Sequence, residues 1–229
     1  QSLARRAVNS MMQRFRHHLV LTVLPAVLLA GEGWTQPSSD TTPALRHDSD
    51  ATSAWVAEHE NTRARKDAMF LDADQSPLLP EDRGAFSGLV YYDLDERFRI
   101  HGQLHRYARM RQVSIPDTKG TQMFVERIGR FHFQWDGKPF WLEVMGSTRD
   151  NDLSVYFTDQ TNGITTYPAG RYAPVRQTED GSYLIDFNNA YSPYCAYNPE
   201  YICPLPPAQN RLSFHIEAGE VISGPDLAH

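Results

Sequence analysis

The sequence predicts a mainly β domain, an antiparallel barrel or sandwich, with an N-terminal helix packed on it and a long ordered loop rich in Pro, Cys and Tyr. Three observations predict this fold. Short segments of β-type alternation are joined by tight Asp-Gly and Asn-Gly turns, as in antiparallel all-β domains. One stretch without proline or glycine has helical periodicity, and another stretch near the C-terminus has no regular period.

The N-terminal residues predict export. The basic run RFRHH at residues 14–18 precedes the apolar run LVLTVLPAVLLA at residues 19–30, which is the order of a secretory signal peptide. The apolar run is too short to span a membrane. Because Met11 and Met12 stand just before it, we expect residues 1–10 to lie upstream of the true start and the signal peptide to occupy about residues 11–30. The product is then periplasmic or secreted and is not a transmembrane protein.

The charge balance argues against polyanionic partners. The chain has 22 basic and 28 acidic residues, and four arginines but no acidic residue lie within residues 1–30, so the remainder has a net charge of −10. Such a surface repels phosphate backbones and anionic lipid. Nucleic acid is therefore not an expected partner.

Three segments make up the predicted organisation. Residues 1–30 are the upstream residues and signal peptide, residues 31–51 are a flexible linker rich in Ser, Thr, Pro and Asp, and residues 52–229 form a single β-rich domain. The domain opens with a helix over residues 52–70, which contain neither proline nor glycine. At 3.6 residues per turn one side of this helix carries Trp55, Val56, His59, Met69 and Phe70.

Residues 128–146, IGRFHFQWDGKPFWLEVMG, predict a β-hairpin. Asp136-Gly137 is the signature of a two-residue type I′ turn, which needs positive φ at both positions. This turn sets the register, and one face of the hairpin is then almost entirely apolar, so a slip of one residue would expose it. The predicted cross-strand pairs are Trp135 with Lys138, Phe133 with Phe140, Phe131 with Leu142, Gly129 with Val144, His132 with Trp141, and Arg130 with Glu143.

Further strands are predicted from alternation and from turns at Asn162-Gly163 and Asp180-Gly181. They cover residues 98–107, 109–115, 122–126, 153–157, 172–177, 183–187 and 212–216.

Residues 186–211, DFNNAYSPYCAYNPEYICPLPPAQNR, predict a long ordered loop. The segment holds five of the fifteen prolines and both cysteines, and prolines remove backbone donors that a helix or a central strand needs. In an oxidising compartment Cys195 and Cys203 are expected to form a disulfide, which contributes about 2.5 kcal/mol by closing a small ring. Buried free thiols, a metal site and a catalytic thiol are the alternatives. The spacing does not match common zinc motifs, so no metal is expected.

Residues 157–172, FTDQTNGITTYPAGRY, bring polar groups to a turn. Asp159 precedes the turn, and Tyr167 and Arg171 follow it. The arginine could bind an anionic ligand or pair with the aspartate. Alternatively, Asp159 caps its own turn and Arg171 has a structural role.

Asp186, Asn188 and Tyr191 lie where the last strong strand enters the loop, a common position for binding groups on a rigid scaffold. The alternative is that they bond the loop's own backbone. No nucleotide-binding, zinc-protease, serine-hydrolase or EF-hand motif is present, and no cofactor is expected.

Three runs resemble a known family. They are TDQTNGITTYPAGRY, DFNNAYSPYCAYNPEYICPLPPAQNRL and IEAGE, and they are similar to the motifs of the bacterial domain of unknown function 1684 family, over roughly residues 52–220. The resemblance implies no activity. It implies that the family pattern includes Asp159, Arg171, Asp186, Asn188, Cys195, Cys203, Asn210 and Glu220.

These observations favour an exported domain that binds an unidentified small molecule in a polar, tyrosine-rich pocket. The candidate ligand-binding residues are Asp159, Tyr167, Arg171, Asp186, Asn188, Tyr191 and Asn210. One alternative is a hydrolase or transferase in which Asp186 or Cys195 is nucleophile or base and Arg171 stabilises an anion. Another is a purely structural envelope protein.

Overall fold

The computed structural model describes residues 44–147 and 152–222. Its α-helix, α1, spans Ala44–Leu71. The strands are β1 (Val90–Tyr91), β2 (Arg99–Pro116), β3 (Gln122–Trp135), β4 (Lys138–Ser147), β5 (Asp152–Phe157), β6 (Arg171–Gln177), β7 (Tyr183–Asp186) and β8 (Glu220–Val221). The predicted signal peptide and most of the predicted linker lie outside the described residues. Within the described part of the chain, no helix is both long and apolar enough to cross a membrane.

The six strands from β2 to β7 form a closed antiparallel barrel, and β1 and β8 form a separate two-stranded sheet. Each barrel strand pairs with the next one in the chain, and β7 closes the barrel by pairing with the start of β2, where Ile100 faces Ile185. The prediction of a mainly β fold with a helix packed on it is confirmed, and the barrel is the form it takes.

The β3–β4 hairpin has the predicted register at all six residue pairs. Asp136 has φ +47° and Gly137 has φ +71°, as a type I′ turn requires. Its apolar face lies inside the barrel, where Phe131, Leu142 and Val144 have no exposed surface. Each such side chain contributes about 1.5–3 kcal/mol of transfer free energy.

The β2–β3 pair continues beyond the barrel as a projecting arm. β2 is one strand where two were predicted, because its interruption is a bulge rather than a break: the pairing shifts between Arg106, opposite Gly129, and Arg111, opposite Arg127. The end of the arm contacts the long loop through the Leu205 amide, which donates to the Pro116 carbonyl at 2.8 Å.

The predicted strand over residues 212–216 is wrong. This segment is irregular, although Leu212 and Ile216 are buried in the barrel core. Alternation indicates which side chains are buried, but a strand also needs a partner along its backbone. Here the backbone makes scattered bonds, such as the one from the Leu212 amide to the Thr158 carbonyl at 2.8 Å.

Helix α1 begins at Ala44 rather than at residue 52, so residues 44–51, expected to belong to the linker, are helical. The physical reason is visible in the sequence, since neither proline nor glycine occurs between Ala44 and Leu71. Within residues 51–71 of the helix, the buried residues are Trp55, His59 and Phe70. The long loop is ordered and irregular as predicted, with short 3-10 turns at Phe187–Asn189, Tyr194–Ala196 and Ala208–Asn210.

Candidate functional site

The carboxylate of Asp186 is the centre of a polar cluster between α1 and the barrel. One oxygen, Oδ1, accepts hydrogen bonds from the Asn188 backbone amide at 3.0 Å and from its side-chain Nδ2 at 2.8 Å. The other, Oδ2, accepts a hydrogen bond from Trp55 Nε1 at 2.9 Å. His59 Nε2 lies 3.2 Å from Oδ2 and Arg99 Nε lies 3.6 Å from it.

Local structure explains this convergence. Asp186 ends β7 and is the cross-strand partner of Arg99 at the start of β2. Trp55 and His59 are four residues apart and therefore share one face of α1. The Trp55 carbonyl also lies 3.0 Å from His59 Nδ1, so that Nδ1–H donates to it and Nε2 faces Asp186.

The cluster is held as an ion pair. Burial lowers the pKa of His59, but the Asp186 carboxylate 3.2 Å from Nε2 and the Trp55 carbonyl outweigh burial, and the net pKa is raised. Burial raises the pKa of Asp186, but the neighbouring His59 and the hydrogen bonds from Trp55 and Asn188 outweigh it, and the net pKa is lowered. Both groups are therefore stabilised in their charged forms. Both oxygens of the Asp186 carboxylate already accept hydrogen bonds from the protein.

Two nitrogens in the cluster, His59 Nε2 and Arg99 Nε, form no hydrogen bond. His59 Nε2 and Arg99 Nε are within ion-pairing distance of Asp186, yet both are buried and neither forms a hydrogen bond of acceptable geometry. Arg99 Nε is too far from Oδ2 for a hydrogen bond, and His59 Nε2 lies within range but forms none, since a hydrogen bond needs alignment whereas an ion pair needs only proximity. Buried donors without a directed partner are costly and uncommon.

His59 and Arg99 line a small cavity of about 60 Å³. Its wall also includes Arg176 and Glu58, which pair at 3.4 Å on the exposed rim. None of the tyrosines lines it, so this cavity is not the tyrosine-rich pocket that was expected. The residues of its wall are Trp55, Glu58, His59, Arg99, Pro174, Arg176, Leu184, Asp186 and Asn189.

A larger cavity, of about 650 Å³, lies elsewhere, between the segment after α1 and the long loop. Its lining is mainly apolar, with Leu78, Phe86 and Ile222 among the side chains, and Asp82 is its single charged residue. Binding sites usually combine an apolar wall with several converging polar groups. The smaller cavity has the converging groups and is therefore the stronger candidate.

Arg171 lies in a separate, fully enclosed network. Its side chain has no exposed surface. Nη1 donates to the Ala218 carbonyl at 2.5 Å, and Nη2 donates to the Ile216 carbonyl at 2.8 Å and to Asp159 Oδ2 at 2.9 Å. Asp159 Oδ1 in turn accepts from the Thr161 amide at 2.8 Å. Asp159 and Arg171 therefore join the β5–β6 connection to the C-terminal segment. This arrangement corresponds to the alternative in which the pair has a structural role.

The side chains of Asn188 and Asn210 also form hydrogen bonds with the protein's own backbone. Asn210 has no exposed surface; it accepts from the Glu143 amide at 2.7 Å and donates to the carbonyls of Glu143 and Tyr156 at 2.9 and 2.8 Å. Asn188 exchanges hydrogen bonds with the Asp95 backbone at 3.0 and 2.9 Å. Of the two, only Asn188 reaches the Asp186 cluster.

The remaining candidates, Tyr167 and Tyr191, lie apart from that cavity. Tyr191 pairs with Tyr172 through two backbone hydrogen bonds of 2.9 Å. The Tyr167 hydroxyl donates to Cys195 Sγ at 3.9 Å. Cys195 and Cys203 are free thiols and both are buried, so the disulfide stays a prediction. No cluster of three or more His, Cys, Asp or Glu side chains suited to a metal ion occurs among the described residues.

Sequence reasoning missed His59, Arg99 and Arg176 as members of the site. His59 carried a signal, because it follows Trp55 by one helical turn on the face that the domain buries. The two arginines carried none, since their place in the cluster depends on barrel closure. Glu220, named above only from the resemblance, is a buried carboxylate that pairs with Lys66 and accepts from the Tyr197 hydroxyl at 2.7 Å.

Comparison with known proteins agrees with the resemblance seen in the sequence. Residues 84–221 match the family model described as Protein of unknown function (DUF1684). The chain is 32% identical to an uncharacterized protein of Haloarcula marismortui with a solution NMR structure; the match covers 79% of this chain and 99% of that chain, with a TM-score of 0.61. No curated protein matches the sequence. Because the matched range includes the whole barrel and the long loop, the chain belongs to the DUF1684 family of proteins of unknown function.

Proposed function

We propose that this protein is an exported domain that binds a small anion, of the carboxylate class, in the cavity beside Asp186, and that it does so without chemistry. One observation carries the proposal. The nitrogens His59 Nε2 and Arg99 Nε are buried and form no hydrogen bond, and both residues line the cavity. An anionic oxygen is the partner that such donors favour most.

The charge around the cavity supports an anion rather than a cation. With His59 protonated, its wall holds three positive side chains, the others being Arg99 and Arg176, against the two negative side chains of Glu58 and Asp186. One positive charge is therefore uncompensated. Because the domain as a whole is acidic, this local charge also sets the cavity apart from its surroundings.

The size of the cavity limits the ligand. A site for one water needs about 10–15 Å³ of such volume, so 60 Å³ accommodates about four to six water-sized groups. That is enough for acetate or for the carboxylate end of a longer molecule that emerges past Glu58 and Arg176. It is well below the roughly 300–1,000 Å³ that encloses a drug-sized ligand.

The contacts of Asp186 favour binding over catalysis. A nucleophile or general base needs a free lone pair directed at the substrate. The Asp186 oxygens already accept from Asn188 and Trp55, and its pKa is lowered by its partners, which makes it a weak base. Arg171, the proposed anion stabiliser of the enzyme alternative, has its Nη groups bonded to protein oxygens.

Calorimetric titration of the purified domain with sodium acetate tests the proposal, with inorganic phosphate as a larger anion and ethylammonium as a cation. We expect acetate to bind and ethylammonium not to bind. His59→Gln and Arg99→Gln should each weaken acetate binding about tenfold, since each removes one charged hydrogen bond. The matched controls His215→Gln and Arg109→Gln alter exposed residues outside the cavity and should leave binding unchanged.

Absence of acetate binding would refute the proposal, as would equal losses in the His59 and His215 variants. Export is a separate part of the proposal and rests on residues 11–30. Expressed from its natural start, the protein should be recovered outside the cytoplasm and lack the residues through about Ala30. An intact N-terminus on the recovered protein would contradict this part.

A further inference from the structure

We infer that Cys195 and Cys203 form a two-thiol site that reduces a small hydroperoxide, with Cys195 as the attacking sulfur and Cys203 as the resolving one. The site is independent of the anion cavity, since neither cysteine lines it. Both thiols are free and buried.

A tyrosine hydroxyl contacts the sulfur of Cys195. The Tyr167 hydroxyl donates to its sulfur at 3.9 Å. The Thr118 hydroxyl lies beside the pair and accepts from the Cys203 backbone amide at 3.1 Å. Cys195, Cys203 and Tyr167 belong to one buried cluster. A permanent disulfide has no negative sulfur for the Tyr167 hydroxyl to stabilise, whereas a thiolate does.

The donors separate the two cysteines in acidity. The hydrogen bond from Cys203, against the opposing effect of burial and together with those from Tyr167 and Thr118, lowers the pKa of Cys195 to about 7. The same hydrogen bond and burial raise the pKa of Cys203. Cys195 is therefore the more acidic thiol and Cys203 the less acidic one, which is the division of roles that the two steps need.

The backbone around Cys203 holds it in place for the second step. Its carbonyl accepts from the Thr118 amide at 3.0 Å, and Pro204 bridges to Asp117 at the tip of the projecting arm. Cys195 lies on the 3-10 turn Tyr194–Ala196 of the same loop. Each side chain is less than a tenth exposed, at 6% and 8%, so only a small oxidant fits.

The chemistry is balanced with a hydroperoxide as the oxidant. The Cys195 thiolate attacks one peroxide oxygen; an S–O bond forms, the O–O bond breaks, and the departing oxygen leaves as water or an alcohol after taking up a proton. Cys203 sulfur then attacks Cys195 sulfur; the S–S bond forms, the S–O bond breaks, and hydroxide leaves with the Cys203 proton as water. The two thiols lose two electrons, the hydroperoxide gains them, and a dithiol reductant restores the thiols.

Hydrogen peroxide added in equimolar amount to the reduced, full domain tests the inference, followed by intact-mass and peptide mass spectrometry. We expect a Cys195–Cys203 disulfide that dithiothreitol reverses in the folded protein. In Cys203→Ser the reaction should stop at a sulfenic acid on Cys195, which dimedone traps. In Cys195→Ser, Cys203 should stay a thiol under the same treatment.

A second measurement on the wild type covers the case in which a cysteine variant does not fold. The alkylation rate of each thiol by iodoacetamide is followed against pH by peptide mapping, with Cys195 expected to show a midpoint near pH 7. Tyr167→Phe should move that midpoint upward, whereas Tyr156→Phe, which changes a tyrosine elsewhere on the barrel, should not. Thiols inert to peroxide, a Cys203 that reacts first, or a disulfide that dithiothreitol cannot reduce in the folded protein would each overturn the inference.

Discussion

Replacing Asp159 by Asn is expected to destabilise the domain by about 3–5 kcal/mol, the range for breaking a buried ion pair by removing one partner. The substitution keeps the shape of the side chain. Its oxygen must stay at the Oδ1 position, because the Thr161 and Ile216 amides donate to that atom at 2.8 and 3.2 Å. The new amide nitrogen then faces Arg171 Nη2 at about the 2.9 Å that now separates Nη2 from Oδ2. Two donors meet, and a guanidinium with no exposed surface loses its counter-charge.

Urea denaturation measures this effect, and thermal unfolding should show a loss of about 6–20 °C in Tm for a domain of this size. Arg171→Met should cost less free energy in the Asp159→Asn background than in the wild type, because its charge is already unpaired there. The matched control is Glu58→Gln, which breaks the pair with Arg176 between side chains that are 61% and 64% exposed and should cost at most about 1 kcal/mol. If Asp159→Asn lowered the free energy of unfolding by less than about 1 kcal/mol, with an unchanged slope of that free energy against urea concentration, the reasoning would be refuted.

Three further predictions concern other parts of the domain. The pKa of His59 is raised above its usual 6.5 on folding, so the contribution of His59 to stability is complete below pH 6.5 and is lost as the pH rises through the folded pKa. The urea midpoint of the wild type should fall over that pH range, and His59→Gln should remove this fall. A His59 pKa below 6.5 by NMR would contradict the prediction. Asn210→Asp should cost about 2–6 kcal/mol in urea unfolding, because two buried carbonyls lose their donor; a change within error would show that the loop does not depend on it. Gly137→Ala should destabilise the domain by about 1–2 kcal/mol and Gly84→Ala by almost nothing. An added Cβ meets open space at both positions, but only Gly137, at φ +71°, has a positive φ. Equal losses of the two variants in thermal unfolding would contradict this explanation.

The sequence predicts best where local rules and burial agree. In the β3–β4 hairpin the turn residues and the apolar face both specify one register, and that register is observed. Residues 212–216 show the opposite case. Their apolar alternation is real, with Leu212 and Ile216 buried and Phe214 half-buried, but no partner strand lies beside them, and alternation carries no information about partners.

The candidate site was predictable only in part, for the same reason. Asp186 stood out because it lies where a strand enters the loop. Its partners come from α1 and from the start of β2, and they meet it only when β7 closes the barrel against β2. Contacts of such sequence separation leave no local pattern. Asn210 and Arg171 were recognisable as unusual, but only their burial shows that their polar atoms hold the backbone.

The attachment of α1 to the barrel has a thermodynamic consequence. Polar contacts hold α1 to the rest of the domain, from Trp55 and His59 to Asp186 and from Lys66 to Glu220, and Phe70 adds an apolar contact with Tyr197, whereas apolar packing holds the barrel. A molecule that enters the seam at Asp186 touches both bodies at once. Binding of such a molecule and docking of the helix on the barrel are then coupled, and each raises the equilibrium constant of the other by the same factor. A ligand at a hundred times its Kd stabilises the docked helix by about 2.7 kcal/mol.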